Sequence, residues 1–275
     1  MVTARSEELV ALARRVAGGF PPEVVEVVVT GSVSRGVADD VSDMEMLVVT
    51  AEELDLDACF ELARAAGLER LDTWAGAPPP AQRVSGYVEG EPLELIIWPV
   101  AHAEARLEAV LRGESPASAD ALVNGIPVRG GELLGRWKER LREVPEETAA
   151  TLIEQAASRW GGYTSAALLT VARPDTALAR AEWLVDASTR VLQIVYALNR
   201  VWQPSTKRLA ARVEPLAIKP ERLAERIEEA LGEPDPRRAL LAMTELQLET
   251  LHLAPHGPLV DRARIWCAEA IEVLR

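Results

Sequence analysis

Strand-forming runs stop at Pro145. Before it, short β-branched and apolar runs alternate with helical periods; after it, apolar residues recur only at helical spacing to the end of the 275-residue chain. A strand must pair with another strand in its own unit, and a stretch that has none can bury its apolar faces only helix on helix. The expected organisation is therefore a small mixed sheet with helices over residues 1–145, an α/β unit, followed by an all-α unit over 146–275.

In the first unit, Leu9, Leu12, Ala13 and Val16 set a helix over 6–17, ended by Gly18-Gly19 and Pro21-Pro22. Val24–Thr30 is a β-branched run and Met44–Thr50 a second apolar one, with a polar, glycine-containing stretch over Gly31–Ser42 between them. A helix is expected over Glu52–Ala66, closed by Gly67, then a strand over Leu68–Ala75 and a loop at Gly76–Pro80. Val84–Val88 and Pro92–Trp98 flank Glu89-Gly90-Glu91 as a hairpin. A helix over 100–112, a loop through Pro116 and Asn124-Gly125, and a helix over 131–143 complete the unit. In the second half, helices are expected over 146–172, 176–202, 205–213, 220–231, 236–253 and 258–274, punctuated by prolines.

Composition narrows the partners. With 30 basic and 43 acidic residues the formal charge is −13, which argues against a broad nucleic-acid-binding face or an anionic membrane surface. No run approaches the roughly 20 apolar residues of a membrane helix. Arg5, Glu7, Glu8, Arg14 and Arg15 argue against a signal peptide, so the cytoplasm is the expected compartment. Two cysteines, Cys59 and Cys267, build neither a disulfide framework nor a zinc cluster, and His102, His252 and His256 are poorly spaced for a metal.

The chemistry is concentrated at Thr30-Gly31-Ser32 and Ser42-Asp43-Met44-Glu45-Met46. Asp43 and Glu45 are two apart at the start of a strand, so they share a face, with Met44, Met46 and Val48 on the other. Adjacent carboxylates repel unless a cation lies between them. A hard divalent ion such as magnesium takes oxygen ligands and keeps substrate phosphates in its shell. A Gly-Ser turn lets phosphate oxygens approach the backbone. Arg35 can hold phosphate or brace the loop.

Gly31-Ser32-Val33-Ser34-Arg35-Gly36 followed by Ser42-Asp43-Met44-Glu45 resembles the signature of the DNA polymerase β-like nucleotidyltransferase superfamily, in the form found in its minimal and antibiotic-modifying branch, the kanamycin- and spectinomycin-type adenylyltransferases. The resemblance covers about twenty residues. It implies a nucleotidyltransferase fold for the first unit and a helical unit that closes over nucleotide and acceptor. Asp43 and Glu45 would hold magnesium, with Gly31, Ser32, Arg35 and Ser42 around the nucleotide. It also implies a third carboxylate on a later strand, as metal ligand or as base; Glu94, an acid among apolar neighbours in Leu93–Trp98, is the expected one. Lysine is rare here, with only Lys138, Lys207 and Lys219 among the basic residues. Lys207, read as lying early in a helix after Pro204, is the expected phosphate contact from the helical unit.

The implied reaction transfers a nucleoside monophosphate, AMP from ATP or that of another nucleoside triphosphate, to a hydroxyl of a small acceptor, releasing pyrophosphate. An aminoglycoside-like, cationic acceptor suits the acidic balance. The alternatives are an antitoxin of the same superfamily acting on a protein partner, and a nucleotide-binding module without turnover. Relatives act as monomers or build sites across a homodimer, and both states stay open.

Overall fold

A computed structural model describes residues 2–73, 81–114, 117–158, 171, 173 and 176–275. The chain divides into two compact units, Met1–Arg142 and Glu143–Arg275. Six strands of the first unit form one mixed sheet, and the described elements of the second are helices. The α/β-plus-helical class read from the sequence is the one the chain adopts.

The sheet consists of β1 (Val24–Val29), β2 (Met44–Thr50), β3 (Glu69–Thr73), β4 (Gln82–Val88), β5 (Glu91–Pro99) and β6 (Ile126–Arg129), in spatial order β3-β4-β5-β2-β1-β6. β2 and β5 run parallel, and every other neighbouring pair is antiparallel. On one face Val27, Val29, Met44, Met46, Val48, Leu93, Leu95 and Ile97 join a single core with Leu9, Leu12 and Val16 of α1 (Ala4–Gly19) and Cys59 and Leu62 of α3 (Leu56–Ala65). This is the period-two alternation expected of β2, with the acids turned the other way. On the second face α4 (Val100–Leu111) packs against β2 and β5.

The β4–β5 turn holds Glu89 and Gly90 at φ 51° and 85°. Two left-handed residues are what a tight two-residue hairpin needs to match strand twist. Arg15 donates to Glu89 at 2.8 Å and Arg5 to Glu91 at 3.0 Å, pinning the hairpin to α1. The Arg5 guanidinium holds the Glu91 carboxyl below the usual carboxylate range.

Several boundaries differ from expectation. α3 begins at Leu56 rather than Glu52, because the Asp55 carboxylate accepts the Ala58 N–H and caps the helix there. The loop expected through Asn124-Gly125 holds α5 (Ala117–Asn124) and the edge strand β6, where Pro127 is tolerated because an edge has an unpaired side. α6 (Glu132–Arg140) follows. A buried acid stands inside β1: Glu26 is 1% exposed and accepts the N–H groups of Gly131 (2.8 Å), Leu133 (3.0 Å) and Leu134 (2.7 Å), the start of α6.

The second unit comprises α7 (Glu146–Ser158), α8 (Ala177–Leu198), α9 (Leu209–Val213), α10 (Leu223–Gly232), α11 (Pro236–Leu253) and α12 (Pro258–Leu274). Its core includes Leu192, Ile194, Leu240, Met243 and Leu246. Asp235 caps α11 ahead of Pro236 by accepting the Arg238 N–H at 2.8 Å, the arrangement that favours proline in the first turn. Glu154 of α7 accepts the Leu259 N–H at 3.2 Å, and Arg264 donates to the carbonyls of Leu251 and Ala254 at 2.7 and 2.8 Å. The joint between the last two helices is thus closed by side chains. The expected Gly76–Pro80 loop and most of residues 159–172 of the first expected helix lie outside the described residues. Among the described residues no helix is long and apolar enough to cross a membrane.

Candidate active site

β1 runs into a sharp turn at Thr30 and Gly31, where the short α2 (Gly31–Ser34) begins. The Thr30 N–H donates to the Glu45 carbonyl at 2.9 Å, so the turn is tied to the start of β2. Gly31 has φ +66°, a conformation that disfavours any side chain. A Cβ at Gly31 would lie 1.8 Å from Glu45 Oε2. The Glu45 carboxylate therefore occupies the space that only glycine leaves, and the Gly-Ser turn and the second acid of the motif form one feature.

Asp43 is exposed and immediately precedes β2; Glu45 is half-buried within it. β2 and β5 are paired in register with Glu45 beside Glu94, Met44 beside Leu93 and Met46 beside Leu95. Residues side by side on parallel strands share a face, so Glu45 and Glu94 belong to the face opposite the Met44–Leu95 core. The strand register brings two of the three expected acids, Glu45 and Glu94, side by side, and Asp43 lies one residue before the paired segment.

Their side chains are not equivalent. Glu94 is bonded to Arg83 of β4, Nη1 to Oε1, at 3.1 Å. The Arg83 side chain is 41% exposed and the Glu94 side chain 18%. Sequence reasoning expected the compensating partner of Glu94 to be a metal or an acceptor hydroxyl; within the fold the partner is an arginine. Nor is Glu94 singular as an acid in an apolar strand, since Glu26 is another. Among the described residues no three His, Cys, Asp or Glu side chains are gathered as they would be around a bound ion.

The loop between turn and acids is held at several points. The Thr3 N–H donates to the Gly36 carbonyl (3.0 Å), the Thr3 hydroxyl to the Ala38 carbonyl (2.8 Å), and the Ala38 N–H to the Ser6 hydroxyl (3.0 Å). Arg35 pairs with Asp120 of α5 at 3.0 Å, and Asn124 donates to the same carboxylate at 2.8 Å. Of the two roles left open for Arg35, bracing the loop is the one this contact serves. The Ser42 hydroxyl donates to Asp39 at 2.7 Å and accepts the Asp39 N–H at 3.0 Å, closing a turn just before Asp43. Ser32 is half-buried, and its carbonyl accepts the Val37 N–H at 3.1 Å.

Lys207 is exposed and belongs to the helical unit. It does not lie in a helix: α9 starts only at Leu209, after Arg208 at φ 59°. The left-handed Arg208 interrupts the helix expected from Pro204, so no helix dipole acts at Lys207. The two thiols are buried, and burial pushes Cys59 up to about 11 and Cys267 up to about 12, which removes both as nucleophiles at neutral pH.

The donor set suits a hard divalent cation. Asp43, Glu45 and Glu94 offer only carboxylate oxygens, and the missing side chain at Gly31 is what admits the Glu45 carboxylate beside the turn.

No protein-family model matches the chain, and no curated protein does. Among solved structures it is similar to a nucleotidyltransferase-like protein from Exiguobacterium sibiricum, with 14% identity and a TM-score of 0.36 over 98% of this chain and 74% of that one. So loose a superposition carries no weight for activity, and the reading of the site rests on its own residues.

Proposed function

We propose that the chain is a magnesium-dependent nucleotidyltransferase that moves a nucleoside monophosphate, AMP from ATP in the first instance, to a hydroxyl of a small acceptor. The observation that carries this reading is the pairing of Glu45 with Glu94 across parallel strands, with Asp43 just before the strand and the Glu45 carboxylate seated against Gly31. The resemblance of the Gly31–Glu45 segment to the superfamily signature points to the same chemistry.

In this reading Asp43 and Glu45 hold the cation that accompanies the triphosphate, and Glu94 completes its shell or serves as base. When bound, the ion would neutralise phosphate charge and polarise the phosphoryl oxygens. The Gly31-Ser32 turn lets the phosphates approach the backbone, while Arg35 and Ser42 keep the connecting loop in place. The acceptor oxygen attacks the α-phosphorus, the bond to the bridging oxygen breaks, and pyrophosphate leaves. The hydroxyl proton passes to a carboxylate within hydrogen-bond reach, the role Glu94 takes where it serves as base. The net charge of −13 favours a cationic acceptor, and aminoglycosides are the first class to test.

The test is a panel of nucleoside triphosphates and aminoglycosides incubated with the protein and magnesium, read by mass spectrometry. A nucleotidyl increment on an acceptor, with pyrophosphate released and both lost in Asp43→Asn, supports the proposal. An increment on a protein instead would favour the antitoxin-type alternative. Magnesium-independent nucleotide binding without any adduct would favour a binding module.

A further inference from the structure

Arg83 belongs to no expected motif, yet among the described residues it is the side chain hydrogen-bonded to the third acid. On antiparallel β4 and β5 the register places Arg83 beside Ile96 and Ser85 beside Glu94. Arg83 is thus the diagonal neighbour of Glu94 on the same face, within reach for a long side chain. The contact is a single N–H to one carboxylate oxygen at 3.1 Å, not a two-pronged one, and the Arg83 side chain is 41% exposed. Such a pair is weak and exchanges readily.

A guanidinium and a divalent cation compete for the same carboxylate oxygens. We infer that Arg83 is a counter-ion that occupies Glu94 until a divalent cation displaces it, so that Arg83 sets the metal affinity of the carboxylate corner. The inference rests on the proposed metal role of Asp43, Glu45 and Glu94. With Arg83 in place, one of three negative charges is offset and one set of oxygens is engaged. Displacement frees both the oxygens and the arginine, which then lies beside the acids on a half-exposed strand. Arg83 is a positioning residue in this scheme: it acts on the site through Glu94.

Manganese binding, measured by electron paramagnetic resonance on the intact protein without nucleotide, separates the possibilities. Arg83→Gln is expected to bind manganese about two- to fivefold tighter than wild type, the scale of one partly exposed ion pair. Glu94→Gln should bind more weakly, and the double variant Arg83→Gln/Glu94→Gln no more tightly than Glu94→Gln alone. Wild-type binding with no gain in Arg83→Gln, or a gain that persists without Glu94, overturns the inference and leaves the metal site standing. Absence of binding in both wild type and Arg83→Gln overturns the metal reading itself, and this inference with it. Arg83→Gln that binds manganese as wild type does but loses nucleotide affinity makes Arg83 a phosphate ligand, which also overturns it.

Discussion

Glu26 and Glu94 are both lone carboxylates set among valines, leucines and isoleucines in one sheet, and the corners that hold them differ in kind. Around Glu26 the partners are three backbone N–H groups at the start of α6, and water is excluded. Around Glu94 the partner is one arginine side chain with a large exposed surface. Backbone donors at a helix start are fixed by the fold and satisfy a charge permanently. A side chain can rotate away and leave the carboxylate to another cation. The contrast teaches that the mobility of the partner, rather than the presence of a buried acid, separates a carboxylate built for the fold from one available to chemistry.

The largest effect expected from this contrast is on turnover in Glu94→Gln. If Glu94 is the base, nucleotidyl transfer should fall roughly 10²–10⁴-fold. Denaturant unfolding should shift by less than about 1 kcal/mol, because a partly exposed pair contributes little. Normal turnover in this variant would put Glu94 in the same class as Glu26. Next comes Gly31→Ala, whose Cβ would collide with the Glu45 carboxylate. Turnover should drop by about 10²-fold as that carboxylate is displaced, with a stability cost of about 1–2 kcal/mol for the left-handed backbone. Magnesium-dependent nucleotide binding, followed by calorimetry, should weaken in parallel.

Glu26→Ala reverses the pattern. Orphaning buried N–H groups should lower stability by about 1–3 kcal/mol, read from the denaturant midpoint. Turnover per folded molecule should be unchanged. A loss of activity at full stability would break the comparison. The smallest effect is expected at Lys207→Ala, where the side chain is solvated and no helix start supports it. The Michaelis constant for nucleotide should rise by about two- to fivefold at most, with that for the acceptor unaltered.

Much of the backbone frame around the candidate acids could be read from the sequence, and the parts that could not share a cause. The bounds of β2 follow from an apolar run that starts just after Ser42-Asp43, and period-two alternation alone turns Glu45 away from the core. Glu94 stood out as an acid among apolar residues; Glu26 carried the same signal within Val24–Val29 and went unmarked. Only tertiary packing, which brings the start of α6 over β1, distinguishes the two. Arg83 was hidden because its relation to Glu94 depends on strand register across a hairpin, and a one-residue slip would have moved it to the other face. β6 was hidden because it is four residues long and contains Pro127. The helix expected around Lys207 failed on one backbone angle at Arg208, which composition does not encode.

The stretch from Gly31 to Asp43 behaves as two lengths rather than one. Thr3 and Ser6 fasten Gly36 and Ala38 from outside the loop, and beyond them Val41 is 93% exposed at the tip of a turn that Ser42 and Asp39 help to close. The first length is a fixed ruler and the second an elastic one. A residue inserted between Ser32 and Gly36 would have to tear the loop from the first helix to keep Asp43 in place. One inserted beside Val41 would only enlarge the tip. The distance between turn and acids, written in the sequence as a single spacer, is in the folded chain a rigid segment in series with a slack one, and change in spacer length should accumulate in the slack.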